Sequence, residues 1–405
     1  GDPNMSQAVI VAATRSPIGR AFKGSLVSCR PDDLLATILN AVLEQVPALP
    51  RESVEDVIVG CGQPAGEAGY NVARVASVLA GLNAPGVTVN RYCSSSLQTI
   101  RMAAHAIAAG EGDVFIAGGV ETVSRFGVGK ADGMENSINS KFNDAMARTN
   151  LRSQGGQPSW APGEGLPDIY IAMGQTAENV AEAENVSRAE MDEFAAMSQQ
   201  RAVAHVEKGH FDAEITPITL EGGQTVSKDD GPRAGTTVEK LAGLQPVFRP
   251  DGRITAGNAC PLNDGAAAVV VMSDTRAKEL GIKPLARIVS SGVSSLNPEI
   301  MGLGPIEASR QALERAGMTM DQIDLVEINE AFAAQVIPSA KQLGIPWEKL
   351  NVAGGAIALG HPFGMTGARI MATLLNNLKA HDKRFGLETM CVGGGQGMAM
   401  IVERL

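Results

Sequence analysis

Short apolar runs alternate along the chain with stretches whose apolar residues recur every three or four positions. AVIVAAT (8–14) and GAAAVVVMS (265–273) are continuous enough to read as strands buried on both faces. Leu97, Ile100, Ala104 and Ile107 fall on one side of a helix, and so do Met371, Leu374, Leu375 and Leu378. The alternation predicts an α/β architecture in which strands lie between layers of helices.

The order of these elements occurs twice. In the N-terminal half a helical stretch at Asp33–Val46 leads to RESVEDVIVG (51–60), then VTVNRYC (87–93), a helix, and the strand-like DVFIAGG (113–119). In the C-terminal half IEASRQALERAG (306–317) leads to MDQIDLVEIN (320–329), then NVAGGAIALGHP (351–362), a helix, and ETMCVGGG (388–395). Val57 stands 36 residues before Cys93, and Val326 stands 35 before His361, so the two copies place a reactive side chain at equivalent turns.

Between the halves, roughly 123–262, the pattern breaks. Residues 126–168 are rich in Gly, Asn, Ser, Pro and Met and show little periodicity, which predicts a lid, an oligomer contact or a ligand-binding excursion. A helical reading returns at 177–209, with Ser187 and Glu190 spaced as a capping box.

Composition narrows the functional classes. Hydrophobic residues make up 44% of the 405 positions and charged residues 19%, as in folded globular proteins. Aromatics at 4% and a net charge of −10 argue against a nucleic-acid surface. An anionic ligand would need a local basic patch against that field. Five dispersed cysteines and five histidines form neither a disulfide framework nor a metal cluster, and a reducing cytoplasm is the expected setting. No apolar run is long enough to span a membrane. Gly1–Asn4 read as a tag remnant, no secretory signal is expected before Met5, and the terminal Glu403-Arg404-Leu405 is not a convincing peroxisomal address.

Four positions carry candidate chemistry. Cys93 lies between an apolar run and an amphipathic helix. A helix N-terminus there would favour its thiolate and offer N–H groups to an oxyanion, although a small buried core cysteine fits equally well. His361, amid glycines in GGAIALGHPFG, could deprotonate a thiol or hold a negative oxygen, or could cap a helix. Cys391 precedes three glycines in CVGGGQG; it could act as an acid or base, or simply end a strand. Asn329 could orient a water or carbonyl, or cap the helix that follows. GGGQG is too near the C-terminus for a dinucleotide fold.

Taken in order, NRYCSSSLQ, AGGVETVS, MGQTAENVA, TAGNACPLNDGAAA, NEAFAAQ, GGAIALGHPFGMTGAR and CVGGGQGMA resemble the thiolase family from about residue 5 to 405. The resemblance implies a duplicated α/β/α/β/α five-layer sandwich with an inserted loop domain. Its parts would be residues 5–122 with 263–283, the loop and CoA-binding region 123–262, and residues 284–405. It implies Cys93 as nucleophile, His361 as its activator, and Cys391 as the second thiol. His361 and a water on Asn329 would form one oxyanion hole, and the N–H groups of Cys93 and Gly393 the other. Arg233 matches a position near the CoA nucleotide, and Met173, Met301 and Phe332 match the apolar lining. Cys260 stands where a serine commonly contacts the CoA arm.

Coenzyme A would be a substrate, with no permanent cofactor or metal, and the assembly a homodimer or homotetramer. The implied activity is reversible cleavage of 3-ketoacyl-CoA by CoA to acetyl-CoA (or propionyl-CoA) and a shortened acyl-CoA, ping-pong through an acyl-Cys93 intermediate, in β-oxidation or a related acyl-chain pathway. Ser96 replaces the family's usual glycine, and Ala172 a histidine frequent in acetoacetyl-CoA enzymes. These departures, with Cys260, predict a pocket for longer or bulkier acyl chains. The alternatives are a biosynthetic acetoacetyl-CoA thiolase, a catalytically impaired CoA-binding homologue, a ketoacyl synthase, from which Cys391 discriminates, and a cysteine hydrolase.

Overall fold

The computed structural model describes residues 6–405, so the expected tag remnant lies outside the described residues. The N-terminal half runs β1 (Ala8–Arg15), α1 (Pro31–Glu44), β2 (Asp56–Gly60), α2 (Val72–Leu79), β3 (Gly86–Val89), α3 (Ser95–Ala108) and β4 (Val114–Thr122). An excursion follows with α4 (Asn143–Ser153), α5 (Met173–Ala183) and α6 (Arg188–Glu207). The chain returns as β5 (Asn263–Ser273) and continues through β6 (Ala286–Ser295), α7 (Gly304–Ala316), β7 (Leu325–Ile328), α8 (Ala333–Leu343), α9 (Thr366–Ala380), β8 (Phe385–Val392) and β9 (Gln396–Arg404).

The sheet repeats as the sequence does. In the first half the order is β3-β2-β4-β5-β1, with β2 parallel to both neighbours and β5 antiparallel to β4 and β1. In the second half β7, β8, β9 and β6 follow the same pattern, and a parallel bridge from Val326 to Leu350 stands where β3 stands in the first. Parallel neighbours need a crossover, which the helices supply. The halves join where Val9 and Ile10 pair with Arg287 and Ala286.

Alternation along each strand builds five layers. Val9, Val57, Val59 and Ile116 face α1 and α2, whereas Ile10, Ile58, Phe115 and Ala117 face inward. The inward face meets Leu97, Ile100 and Ile107 of α3 and Ile370, Met371 and Leu374 of α9, with Met390, Met398 and Met400 of the second sheet beyond. Leu387, Ala399 and Ile401 then face α7 and α8. The predicted α/β class and its five-layer sandwich are both present.

Some local expectations change. The stretch 126–168 contains α4, held by Arg152 pairing with Glu182. The helical reading of 177–209 is two helices, broken where Asn185 adopts φ +52°. The capping box of Ser187 and Glu190 is formed as its spacing predicts. Helices α5 and α6 pack on α8, which brings the excursion over the C-terminal half.

Candidate active site

Between β3 and α3 the chain makes a tight turn, Tyr92–Ser94, with Tyr92 at φ +40°. Such a backbone is strained for a bulky residue and must be held in place. The turn's own side chains hold it. Asn90 Oδ1 accepts from the Tyr92 N–H at 2.8 Å, and Ser95 Oγ accepts from the Arg91 N–H and donates to the Tyr92 carbonyl, both at 2.8 Å. The result presents Cys93 at the start of α3 with its sulfur against its own N–H and that of Gly393.

The expected activation by the helix terminus is outweighed. Burial pushes the Cys93 thiol up to about 11 despite those two N–H groups, and the Glu121 carboxylate adds to the rise. The resting group is a thiol, so it needs a base.

His361 follows Gly360, whose φ of +109° and whose contact with Asn263 leave no room for a side chain. Its N–H donates to Asn263 Oδ1 at 2.9 Å. Its Nδ1 lies 2.5 Å from Thr366 Oγ1, and that hydroxyl has the Pro362 carbonyl at 3.4 Å as acceptor. This orientation makes Nδ1–H the donor and leaves Nε2 as a lone pair. Nε2 is buried without a protein partner, and burial with the Arg369 charge holds the imidazole neutral by lowering it to about 3.

Asn329 is buried, and neither its Oδ1 nor its Nδ2 has a protein partner. It does not cap the following helix, which starts four residues later at Ala333. Its neighbour Glu330 is a central tie: the carboxylate accepts from Ser198 Oγ at 2.6 Å, Asn351 Nδ2 at 2.8 Å and the Ile357 N–H at 3.2 Å. It thereby holds the long turn leading to His361, a role that the sequence alone left unassigned.

Cys391 ends β8, fully buried, and its thiol is raised well above the ordinary range by burial and by the fields of Cys93 and Cys260. Cys260 is lifted to about 12 by burial and by Cys93. The three sulfurs therefore share one locality. The Tyr92–Ser94 turn packs against both β8 and the Phe363–Met365 turn beside His361, which brings the third reactive group to the same place. Cys260 is fixed by its N–H donating to Ala331 at 2.9 Å, next to the Asn329 segment.

A cleft of about 510 Å³ runs from solvent to Cys260 and Ile357, lined on its way by Arg20, Gln199, Arg233 and Lys240. Arg233 lines this cleft, and Arg20 and Lys240 are further cations in it that no motif flagged. Met173 approaches Gly393, where an added Cβ would stand 3.6 Å from its sulfur. Met301 and Phe332 are buried in the cluster that includes Cys391 and is flanked by Met173. Ser96, at the family's usual glycine position, accepts from the Ala368 N–H through its Oγ at 2.8 Å. Among the described residues no group of His, Cys, Asp and Glu could hold a metal, and no helix is long and apolar enough to cross a membrane.

The family pattern "Thiolase, N-terminal domain" matches residues 8–275, and "Thiolase, C-terminal domain" matches 282–404. The chain belongs to the thiolase family. It is 44% identical to an acetyl-CoA acetyltransferase of Pseudomonas aeruginosa over 99% of this chain and 100% of that protein. It is 41% identical to a 3-ketoacyl-CoA thiolase of Bacillus subtilis over 98% and 100%, and 43% identical to a beta-ketoadipyl-CoA thiolase of Acinetobacter baylyi over 99% and 100%. The crystal structure of the Bacillus anthracis acetyl-CoA acetyltransferase superposes with a TM-score of 0.87 at 40% identity, covering 99% of each chain. This thiolase is accordingly an acyltransferase that works on acyl-CoA and CoA.

Proposed function

We propose that this thiolase cleaves 3-ketoacyl-CoA esters with CoA, reversibly, through an acyl group carried on Cys93, in acyl-chain degradation such as β-oxidation. One observation supports this most. The Cys93 sulfur sits against the N–H groups of Cys93 and Gly393, while His361 Nε2 and the Asn329 amide remain buried and unpartnered.

In thiolysis His361 Nε2 takes the Cys93 proton as the sulfur attacks the 3-keto carbon. The oxygen that becomes negative is held by the N–H groups of Cys93 and Gly393. The C2–C3 bond breaks, and its electron pair forms the enolate of acetyl-CoA. That enolate oxygen is held by the imidazole Nε2–H and a water on Asn329, and the Cys391 S–H protonates C2. Acetyl-CoA leaves. A second CoA gives its thiol proton to Cys391 and attacks the acyl-Cys93 carbonyl, releasing the shortened acyl-CoA as Cys93 recovers its proton from His361.

Arg20, Arg233 and Lys240 would meet the nucleotide end of CoA, Cys260 the pantetheine arm, and Met173, Met301 and Phe332 the acyl chain. Five free cysteines suit a reducing cytoplasm, and the outer edge of β3, unpaired among the described residues, suits assembly into a homodimer or homotetramer. The apolar surroundings of Gly393, with Ala172 preceding Met173, favour chains longer than acetoacetyl. The test is a thiolysis profile against acyl-chain length, branching and terminal charge, with the mass of the acylated protein recorded. Cleavage of six-carbon and longer esters with acyl mass on Cys93 is expected. A strong preference for acetoacetyl-CoA would overturn the long-chain reading, and acyl mass elsewhere would overturn the role of Cys93.

A further inference from the structure

We propose that Glu121 and Ser96 are positioning residues that latch the turn and helix carrying His361 onto the half that carries Cys93. The inference rests on the roles given above to those two residues. A helix leaves its first N–H groups without partners inside the helix. At the start of α9 and the turn before it, two such groups are satisfied from the other half of the molecule.

Glu121, at the end of β4, is buried, and among the described residues no cation pairs with it. Its Oε1 accepts from the Gly364 N–H at 2.9 Å and from the Gly62 N–H at 2.7 Å. Its Oε2 accepts from the Gln63 N–H at 3.1 Å and from Cys61 Sγ at 3.5 Å. One carboxylate thus joins the loop after β2 to the turn three residues beyond His361. A buried carboxylate is costly unless its oxygens are filled, and here only backbone N–H groups and a thiol fill them.

Ser96 supplies the second point. It stands three residues after Cys93, fully buried, and its Oγ accepts from the Ala368 N–H in the first turn of α9. Gly364 and Ala368 lie on either side of Thr366, the residue that binds His361 Nδ1. Both acceptors belong to the half bearing the nucleophile, and both donors belong to the half bearing the imidazole.

Backbone contact closes the space between them. A Cβ on Gly119 would stand 1.8 Å from the Gly364 carbonyl oxygen, and one on Gly364 would stand 2.6 Å from that of Gly60. A Cβ on Gly367 would stand 2.2 Å from the Leu97 nitrogen. The junction fits only at one separation, and the two acceptors set it. Ser96 therefore does more than fill the site of a glycine: its hydroxyl joins the two reactive turns.

The test measures single-turnover acylation of Cys93 by acetyl-CoA, with KM for CoA and the melting temperature alongside, in S96A, E121A and E121Q. A reacting group displaced by about 1 Å can cost about 100-fold. Acylation is expected to fall about 10-fold in S96A and about 100-fold in E121A. KM for CoA should stay unchanged, and E121Q, which keeps an oxygen for Gly364, should recover to within about 3-fold of the parent. A lower melting temperature with unchanged acylation in S96A would overturn the latch, even if E121A does not fold. H361A separates the two proposals. If it acylates normally, the role of His361 is wrong; if it is slow while S96A is normal, only the latch is wrong.

Discussion

The turns that carry Cys93 and His361 occupy equivalent places in a duplicated fold, yet they are built by different means. Five residues, 90–94, connect β3 to α3, and the turn is held by Asn90, Ser94 and Ser95 from within itself. In the second half the strand shrinks to a bridge at Leu350, and a much longer connection through four glycines leads to α9. Few of the groups holding that connection belong to it. Glu330, Ser198, Asn263 and Glu121 reach it from elsewhere in the chain. The nucleophile's geometry is a local property of the sequence around it, whereas the imidazole's geometry is a property of the whole fold.

The largest effects should come from the reacting groups themselves. Cys93→Ala is expected to lower thiolysis by about 10⁴-fold or more, and His361→Ala by about 10³-fold, measured as kcat/KM for one 3-ketoacyl-CoA. Cys93→Ala should leave the melting temperature near the parent value, because the turn does not rely on the sulfur. A His361→Ala enzyme within 10-fold of the parent would mean that the long turn carries no chemistry.

A substitution at the supports sharpens the contrast. Glu330→Gln loses a charged acceptor for Ser198, Asn351 and Ile357, and should destabilise the protein by about 2 kcal/mol in urea unfolding. It should also lower kcat. Ser95→Ala, which weakens the self-held turn by neutral hydrogen bonds, should cost about 1 kcal/mol. Equal costs with equal losses of kcat would erase the distinction between a local and a distributed support.

How much was legible follows the same division. The repeat, the strands, and the placement of Cys93, Cys391 and Asn329 at strand ends or a helix start depend on neighbours in sequence, and periodicity exposes them; for His361 it exposes the equivalent place in the repeat but not the long turn before α9. Arg233 and Cys260 were placed by resemblance, and both line the cleft. The break at Asn185 was hidden because both flanking segments share helical periodicity. The protonation of Cys93 is not legible, because a helix terminus is visible in sequence while burial is not. Glu121, Ser96 and Glu330 had no readable roles, since each acts on backbone N–H groups or side chains far away in the chain. The nearest signal was the adjacency of Glu330 to Asn329.

The smallest effect tests a second difference between the halves, in the central layer. The parallel pair Ile58 and Ala117 is apolar and packs against the helices there. The matching register pair in the second half is Glu327 and Glu388, both buried, with Arg369 of α9 acting on each. Burial lifts Glu327 to about 8 and Glu388 well above the ordinary range, and neither Glu388 oxygen has a protein partner. A carboxyl whose folded-state value is raised stays protonated in the fold while the unfolded chain ionises, so stability falls as pH rises above about 4.3. The loss continues up to the folded-state value. Glu388→Gln removes that loss for one of the two groups. Its melting temperature relative to the parent should therefore be about 2 °C higher at pH 8 than at pH 5. An identical difference at both pH values would show that Glu388 is ionised in the fold, paired with Arg369 as a charge rather than held neutral beside it.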